Sequence, residues 1–376
     1  MLNCKQFYKA LKSNQINSFF AVPDSLLKNF LNFLDDNVKS DYTLAHNEGG
    51  AVAMAVGHYL STNDAGLVIL QNSGLSHILN PIISLAKPYK VPLLLMIGWR
   101  GEPGKKDAPQ HLIQGEMTLP LLKAANIPYL ILPDQLEEAE KELEKIIKLI
   151  KKEKTQYALV VKKGTFEKYK ISAKKAKQFE LSREQAIQIV ADATPPNALV
   201  VSTTGKASRE LNEHRDNAKQ SHDRDFHMVG SMGHAASIAM QVALNTPNKK
   251  VFCFDGDAAM IMHMGVLPII GDKKPSNLVH IIFNNGANDS VGGQDTVAFK
   301  IDIPALAKAC GYPESYWVDT KKELQKVMKE IETKKGPILI EIKVNKGARK
   351  DLTRPNRSLP EIKNAFMAAI KKYDKS

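Results

Sequence analysis

Short apolar runs alternate with stretches of helical period along most of the chain. INSFFAV (16–22) precedes a helical pattern over 24–35, YTLAH (42–46) precedes one over 48–61, and GLVILQ (66–71) precedes one over 75–86. VPLLLMIG (91–98) runs into a long polar loop. PYLILP (128–133) leads to a helix predicted to open with a capping box at Asp134-x-x-Glu137, and YALVVKK (157–163) closes the series. The segment 163–180 is polar, Lys-rich and without sustained period, as linkers are. A second series then begins at Ser182-x-x-Gln185, another capping box. Its strand-bearing segments are NALVVSTTG (197–205), the stretch around 226–244, KKVFCFDGD (249–257), NLVHIIFNNG (277–286) and GPILIEIKV (336–344). Strands alternating with helices predict mostly parallel sheets covered on both faces. The expected organisation is α/β, with two doubly wound domains at 1–165 and 181–376 joined by a linker at 166–180.

Composition narrows the function classes. Hydrophobic residues make up 43% of the chain and charged residues 24%, values typical of globular proteins. No run reaches the ~20 apolar residues of a membrane span, and MLNCKQFYKALKSNQ has no apolar signal region, so a cytoplasmic protein without membrane association is expected. The net charge of +12 raises the question of nucleic acid. Much of it lies in amphipathic stretches such as 137–156 and 321–335, where Lys and Glu share a solvated face, and basic–aromatic interleaving is missing. No nucleic-acid partner is expected. Three scattered cysteines, Cys4, Cys253 and Cys310, fit neither a disulfide framework nor a zinc motif; Cys253, within VFCF, reads as a core residue.

The chemistry is expected at strand carboxyl ends, where open parallel sheets gather ligands. Three glycine-bearing turns lie there in the second half: STTG (202–205), GSMG (230–233) and DGDA (255–258). Each suits an anion at a helix start, while the dinucleotide and P-loop glycine fingerprints are absent. Asp257 and the pair Asn284-Asn285 close successive strands, and 28 positions (257 to 285) separate the carboxylate from Asn285. They are either two hard oxygen ligands for Mg²⁺ or a helix cap and a turn.

The joint spacing resembles the motif of thiamine-diphosphate enzymes, Gly-Asp-Gly followed nearly thirty residues later by Asn-Asn, with Ala258 here in place of the last Gly. The resemblance implies metal ligands Asp257, Asn285 and the carbonyl of Ala287. In HNEGGAV, Glu48 ends a strand and starts a helix, and resembles the glutamate that contacts the cofactor's pyrimidine in the pyruvate decarboxylase superfamily. Thr203, Thr204, Gly205, Gly230, Ser231, Gly256 and Ala258 would line the cofactor, and Met232 would sit beneath its bend. The resemblance covers nearly the whole chain, with the pyrimidine-binding domain first, the diphosphate-binding domain second and no middle domain. That compact form resembles decarboxylases of small anionic 2-oxo acids, so decarboxylation is the implied reaction. VPDSLLK (22–28), NSGLSHILNP (72–81), GWRGEPGKKDAPQH (98–111) and NNGANDSVGGQDT (284–296) lean towards 3-phosphonopyruvate, with sulfopyruvate as the alternative. The implied catalytic residues are Glu48, Asp24 and His111. Arg100, Asn72, Ser73, His77 and Lys105 are the expected substrate contacts, Arg100 because a planar fork of donors suits a phosphonate. A homo-oligomer, at least a dimer with active sites between subunits, is also implied. A non-catalytic subunit of the same fold is a further alternative, against which the retention of Glu48, Asp257 and Asn285 counts.

Overall fold

A computed structural model describes residues 1–38, 40–171 and 178–372. The chain divides into two compact units, Met1–Lys174 and Lys175–Ser376.

The first unit holds six strands: β1 (Phe19–Ala21), β2 (Tyr42–Leu44), β3 (Gly66–Gln71), β4 (Leu93–Gly98), β5 (Tyr129–Ile131) and β6 (Gln156–Val161). All pairings are parallel, in the order β2-β1-β3-β4-β6-β5. Its helices are α1 (Cys4–Ser13), α2 (Lys28–Asn37), α3 (Glu48–Thr62), α4 (Leu75–Pro81), α5 (Pro109–Ala124) and α6 (Leu136–Glu153). Central β4 is buried along its whole length, so its sequence LLLMIG shows no alternation. Amphipathic α6 buries Ala139, Leu143, Ile146, Ile147 and Ile150, one stripe at helical spacing, and turns its Lys and Glu outward.

Several boundaries differ from the sequence expectation. The helix predicted over 24–35 starts only at Lys28, because Asp24 folds the preceding residues into a turn by accepting from the amides of Leu26 and Leu27. The pattern over 75–86 divides into α4 and a π-helical turn at Ile82–Ala86 just after Pro81. The Asp134 capping box does not form: the N-cap is Gln135, without a side-chain cap bond, and Asp134 lies by the N-terminal amine instead. Within the expected linker, Phe166 stacks on Phe30 and meets Phe7 edge-on, and Tyr169 packs on Phe33, so these residues extend the first core. Residues 172–177 of that linker lie outside the described residues.

The second unit repeats the architecture with β7 (Leu199–Ser202), β8 (Asp225–His227), β9 (Val251–Gly256), β10 (Leu278–Asn284), β11 (Glu314–Val318) and β12 (Ile338–Lys343), parallel in the order β11-β12-β10-β9-β7-β8. Its helices are α7 (Arg183–Ala193), α8 (Lys206–Asn217), α9 (Ala235–Asn245), α10 (Asp257–Met262), α11 (Val266–Lys273), α12 (Ile303–Ala309), α13 (Lys321–Glu330) and α14 (Leu359–Lys372). Phe252, Phe254, Val279, Ile281 and Phe283 build one core with α7, α8 and α13. From the same strands Val251, Cys253, Leu278 and Ile282 face the other core, under α9, α11, α12 and α14. This is the period-two division of a sheet covered on both faces. The Ser182–Gln185 capping box is present in full. Among the described residues, no helix is long and apolar enough to cross a membrane.

Candidate active site

In the first unit, the carboxyl ends of the neighbouring strands β2, β1, β3 and β4 deliver Glu48, Asp24, Asn72 and Arg100 to one edge of the sheet. Glu48 is the first residue of α3, whose N-cap Asn47 accepts from the amide of Gly50 at 2.8 Å. Its carboxylate is buried and reaches Nδ1 of His77 at 3.0 Å, which raises the His77 pKa. A Cβ added at Gly74 would stand 2.3 Å from Oε1 of Glu48, so the backbone after β3 must be glycine for the carboxylate to lie there. Asp24 is fully buried, and burial pushes its carboxyl up to about 6 despite the amides of Leu26 and Leu27 and the charge of Arg100. It rests on Gly98, where a Cβ would come within 1.9 Å of Oδ2.

Two of the expected substrate contacts, Asn72 and Arg100, also bond within the scaffold. Asn72 donates to the carbonyl of Arg100 (2.7 Å) and to Oγ1 of Thr118 (2.9 Å), and accepts from the Arg100 amide (3.2 Å). Both its amide hydrogens are engaged, so Asn72 clasps β3, β4 and α5 together rather than offering donors to a ligand. Arg100 is already paired within its own loop. Its Nε and Nη2 form a bidentate pair with Asp107 (2.7 and 2.5 Å), and Nη1 donates to Ser25 (2.6 Å). That pairing holds the Asp107 carboxyl well below the usual range. Ser73 accepts from Gln71, and Lys105 and Lys106 are exposed. His111 is half-buried in the first turn of α5, with Nδ1 3.5 Å from Gln114 Oε1.

In the second unit, Asp257 begins α10 directly after β9 and is buried. Its carboxylate receives Thr296 Oγ1 at 2.5 Å and the backbone amides of Asn285, Asp257 and Ala258. No basic side chain among the described residues pairs with it, and burial pushes its carboxyl up to about 6. Ala258 is helical, so the departure from glycine there costs no backbone conformation. Asn285, buried beside Asp257, turns Oδ1 to the Ala287 amide and Nδ2 to Asp289 (2.7 Å), while Asn284 donates to Glu341.

Of the two other glycine-bearing turns, 202–205 fits an anion. Gly205, at φ +102°, caps α8 without any side-chain bond to the free amides, and Ser290 lies against it. Next to it, Thr203 Oγ1 is buried with no hydrogen-bond partner among the described residues, which an acceptor such as a diphosphate oxygen would supply. In the turn 230–233, Ser231 and Gly233 both have positive φ, and Gly233 packs on His263 and Ala259; Met232 and Gly230 are half-buried. A buried carboxylate, an amide and a carbonyl make the donor set of a hard divalent cation. The residues present therefore fit a diphosphate with its cation.

Sequence reasoning missed Thr296, although it ends the quoted stretch 284–296, and missed the buried Arg183. Arg183 holds Glu210 in a bidentate pair (2.8 and 2.9 Å) and Asp289 at 3.0 Å, anchoring the loop that carries Asn285. The signal was the ANDS segment itself, whose Asp289 is the acid that Arg183 requires.

The chain belongs to the thiamine pyrophosphate enzyme family. Residues 4–122 match the N-terminal TPP binding domain of thiamine pyrophosphate enzymes, and residues 203–342 match the C-terminal one. Among curated relatives, it is 31% identical over 385 residues to a phosphonopyruvate decarboxylase of Streptomyces viridochromogenes, covering 98% of this chain and 95% of that one. Identity to a phosphonopyruvate decarboxylase of Streptomyces hygroscopicus is 32% over 381 residues, covering 97% and 93%. A sulfopyruvate decarboxylase of Methanosarcina acetivorans is 27% identical over 335 residues, 83% of each chain.

The buried Asp24 generates a prediction about pH. Its folded-state pKa is raised, so the folded chain keeps a proton that the unfolded chain has already released. The stability this provides is fully present below the ordinary value near 4 and is lost as pH rises through about 6. Asp24→Asn carries no charge to bury, so its stability relative to the native chain should rise by roughly 1–1.5 kcal/mol between pH 5 and 7.5. Urea denaturation at both pH values measures this; a difference independent of pH would place an exposed or ion-paired carboxylate at Asp24.

Proposed function

We propose that the chain decarboxylates 3-phosphonopyruvate to phosphonoacetaldehyde and CO₂, using thiamine diphosphate and Mg²⁺. The observation that carries the substrate is the likeness to two phosphonopyruvate decarboxylases over nearly the whole length of both chains. Sulfopyruvate is the second reading, favoured by the likeness to a decarboxylase of that acid over 83% of the chain. A homo-oligomer, at least a dimer, and a cytoplasmic location complete the proposal.

When bound, thiamine diphosphate supplies a carbon nucleophile and an electron sink for the bond that releases CO₂. Asp257, Asn285 and the Ala287 carbonyl hold Mg²⁺, and Asp257 then has the counter-charge that its buried position otherwise lacks. Thr203, Thr204, Gly205 and the free amides at the start of α8 bind the diphosphate. Gly230, Ser231 and Met232 support the cofactor from the turn after β8, while Gly256 and Ala258 shape the approach to Asp257. Glu48 exchanges a proton at a ring nitrogen of the pyrimidine, and His77 steadies its carboxylate.

The substrate's two anionic groups require positive charge. Arg100 retains one N–H on each terminal nitrogen beyond those given to Asp107 and Ser25, and we assign these donors to the phosphonate, with Lys105 adding charge from the same loop. Ser73 and His77 flank the carboxyl end of β3. Asp24, its carboxyl pushed up to about 6, is suited to hand a proton to the substrate carbon that CO₂ leaves, with His111 as its relay.

Two measurements test this reading. Purified protein with Mg²⁺ and thiamine diphosphate, offered phosphonopyruvate, sulfopyruvate and pyruvate in turn, should show its highest kcat/KM for aldehyde formation with phosphonopyruvate. A higher value for sulfopyruvate moves the assignment to the second reading. Glu48→Gln should bind the cofactor within a few-fold of the native protein yet lose about 100- to 10,000-fold in kcat; native turnover by this variant would remove Glu48 from the chemistry.

A further inference from the structure

A cluster at the far edge of the second sheet has no part in the reaction above. β8 is the edge strand, paired among the described residues only with β7, and it begins with Asp225 and ends with His227. His222 stands in the turn just before it, where its carbonyl accepts the Asp225 amide. One donor atom from each of His222, Asp225 and His227 lies within 4.8 Å of the others.

The hydrogen bonding of this cluster is incomplete in a particular way. His227 is 3% exposed, and neither of its ring nitrogens has a partner among the described residues. Nδ1 of His222 is likewise buried and without one. The opposite nitrogen, Nε2 of His222, is 2.7 Å from Asp216 Oδ1, a carboxylate that makes Nε2 the proton carrier and, in the neutral ring, leaves the lone pair on Nδ1. An imidazole oriented by an outer carboxylate, with its free lone pair turned to a second imidazole and an acid, is the arrangement of metal-binding histidines.

We propose that His222, His227 and Asp225 bind a divalent transition-metal ion, with zinc the best match. Two imidazoles and one carboxylate in a compact group suit tetrahedral zinc, with a solvent oxygen in the fourth position. Magnesium, which prefers oxygen donors, is selected against. Arg215 already donates to both oxygens of Asp225 (2.9 and 3.3 Å), so the ion shares that carboxylate and takes a remaining lone pair. Arg357, which donates to the His222 carbonyl, adds positive charge nearby and keeps the affinity moderate. The ion fastens the end of α8 and its following loop to the edge strand, three residues before the turn at Gly230. Its function is to stabilise that edge.

The test uses the full chain, stripped with a chelator and returned to millimolar Mg²⁺, and titrates it with ZnCl₂ by calorimetry. The expected result is one Zn²⁺ per chain, not displaced by excess Mg²⁺, with a rise in Tm. His222→Ala, in a surface turn, should weaken that binding at least tenfold, and Asp216→Asn by about 10- to 100-fold. CoCl₂ should give the visible absorption of tetrahedral cobalt with the native chain and not with His222→Ala. Failure to bind Zn²⁺ stoichiometrically overturns the proposal and leaves the two imidazoles bridged by water. Binding that persists in both His222→Ala and a folded His227→Gln, checked by circular dichroism, lies elsewhere and overturns it equally.

Discussion

The parallel ladder between β9 and β10 is the constraint on which the second unit's chemistry depends. It sets Gly256 opposite Phe283, so the residues that follow each strand emerge side by side. The amide of Asn285 then reaches the carboxylate of Asp257. Neither residue has freedom to choose this position. Phe252, Phe254, Ile281 and Phe283 lock the two strands into one core while Cys253 and Ile282 lock them into the other, and a slip of one residue would exchange the faces of every side chain. A buried acid without a cationic partner is costly unless a ligand compensates it. The ladder enforces that cost, and the proposed cation relieves it.

The first unit uses the same principle with different groups. Glu48 and Asp24 are both buried carboxylates at strand ends, and each lies against a glycine, Gly74 or Gly98, where a methyl group would collide with it. Backbone clearance brings the acids into the sheet edge, where their neighbours differ. Glu48 meets the imidazole of His77 at 3.0 Å, whereas Asp24 is surrounded by enough protein to favour its neutral form. Two acids on one edge thereby stand in different surroundings, one beside an imidazole and one enclosed by protein.

Much of this was legible in the sequence because strand ends carry short motifs. The apolar runs located the central strands, and the spacing from Asp257 to Asn285 survived because it is set by one helix-containing crossover. Strand β11 was missed since ESYWV is a half-exposed edge strand, with Trp317 in solvent, and has no apolar run to mark it. Helix α14 buries Ile362, Phe366 and Ala369 at helical spacing and was readable in principle. The pairing of Arg100 with Asp107 was not: loop residues seven positions apart have no periodic signal, and only folded geometry shows that Asp107 and Ser25 take part of the arginine's donor fork. The hydrogen bonds of Asn72 were hidden for the same reason, since its partners lie 28 and 46 residues away.

The central claim is that Asp257 anchors a cation through which the diphosphate is held. Calorimetric titration of thiamine diphosphate into the native chain and into Asp257→Asn, each with and without Mg²⁺, tests it most directly. The account predicts Mg²⁺-dependent binding to the native chain and a loss of more than about a hundredfold in the variant, beyond what an outer-shell partner costs. Equal, Mg²⁺-dependent affinities in the two proteins would contradict it.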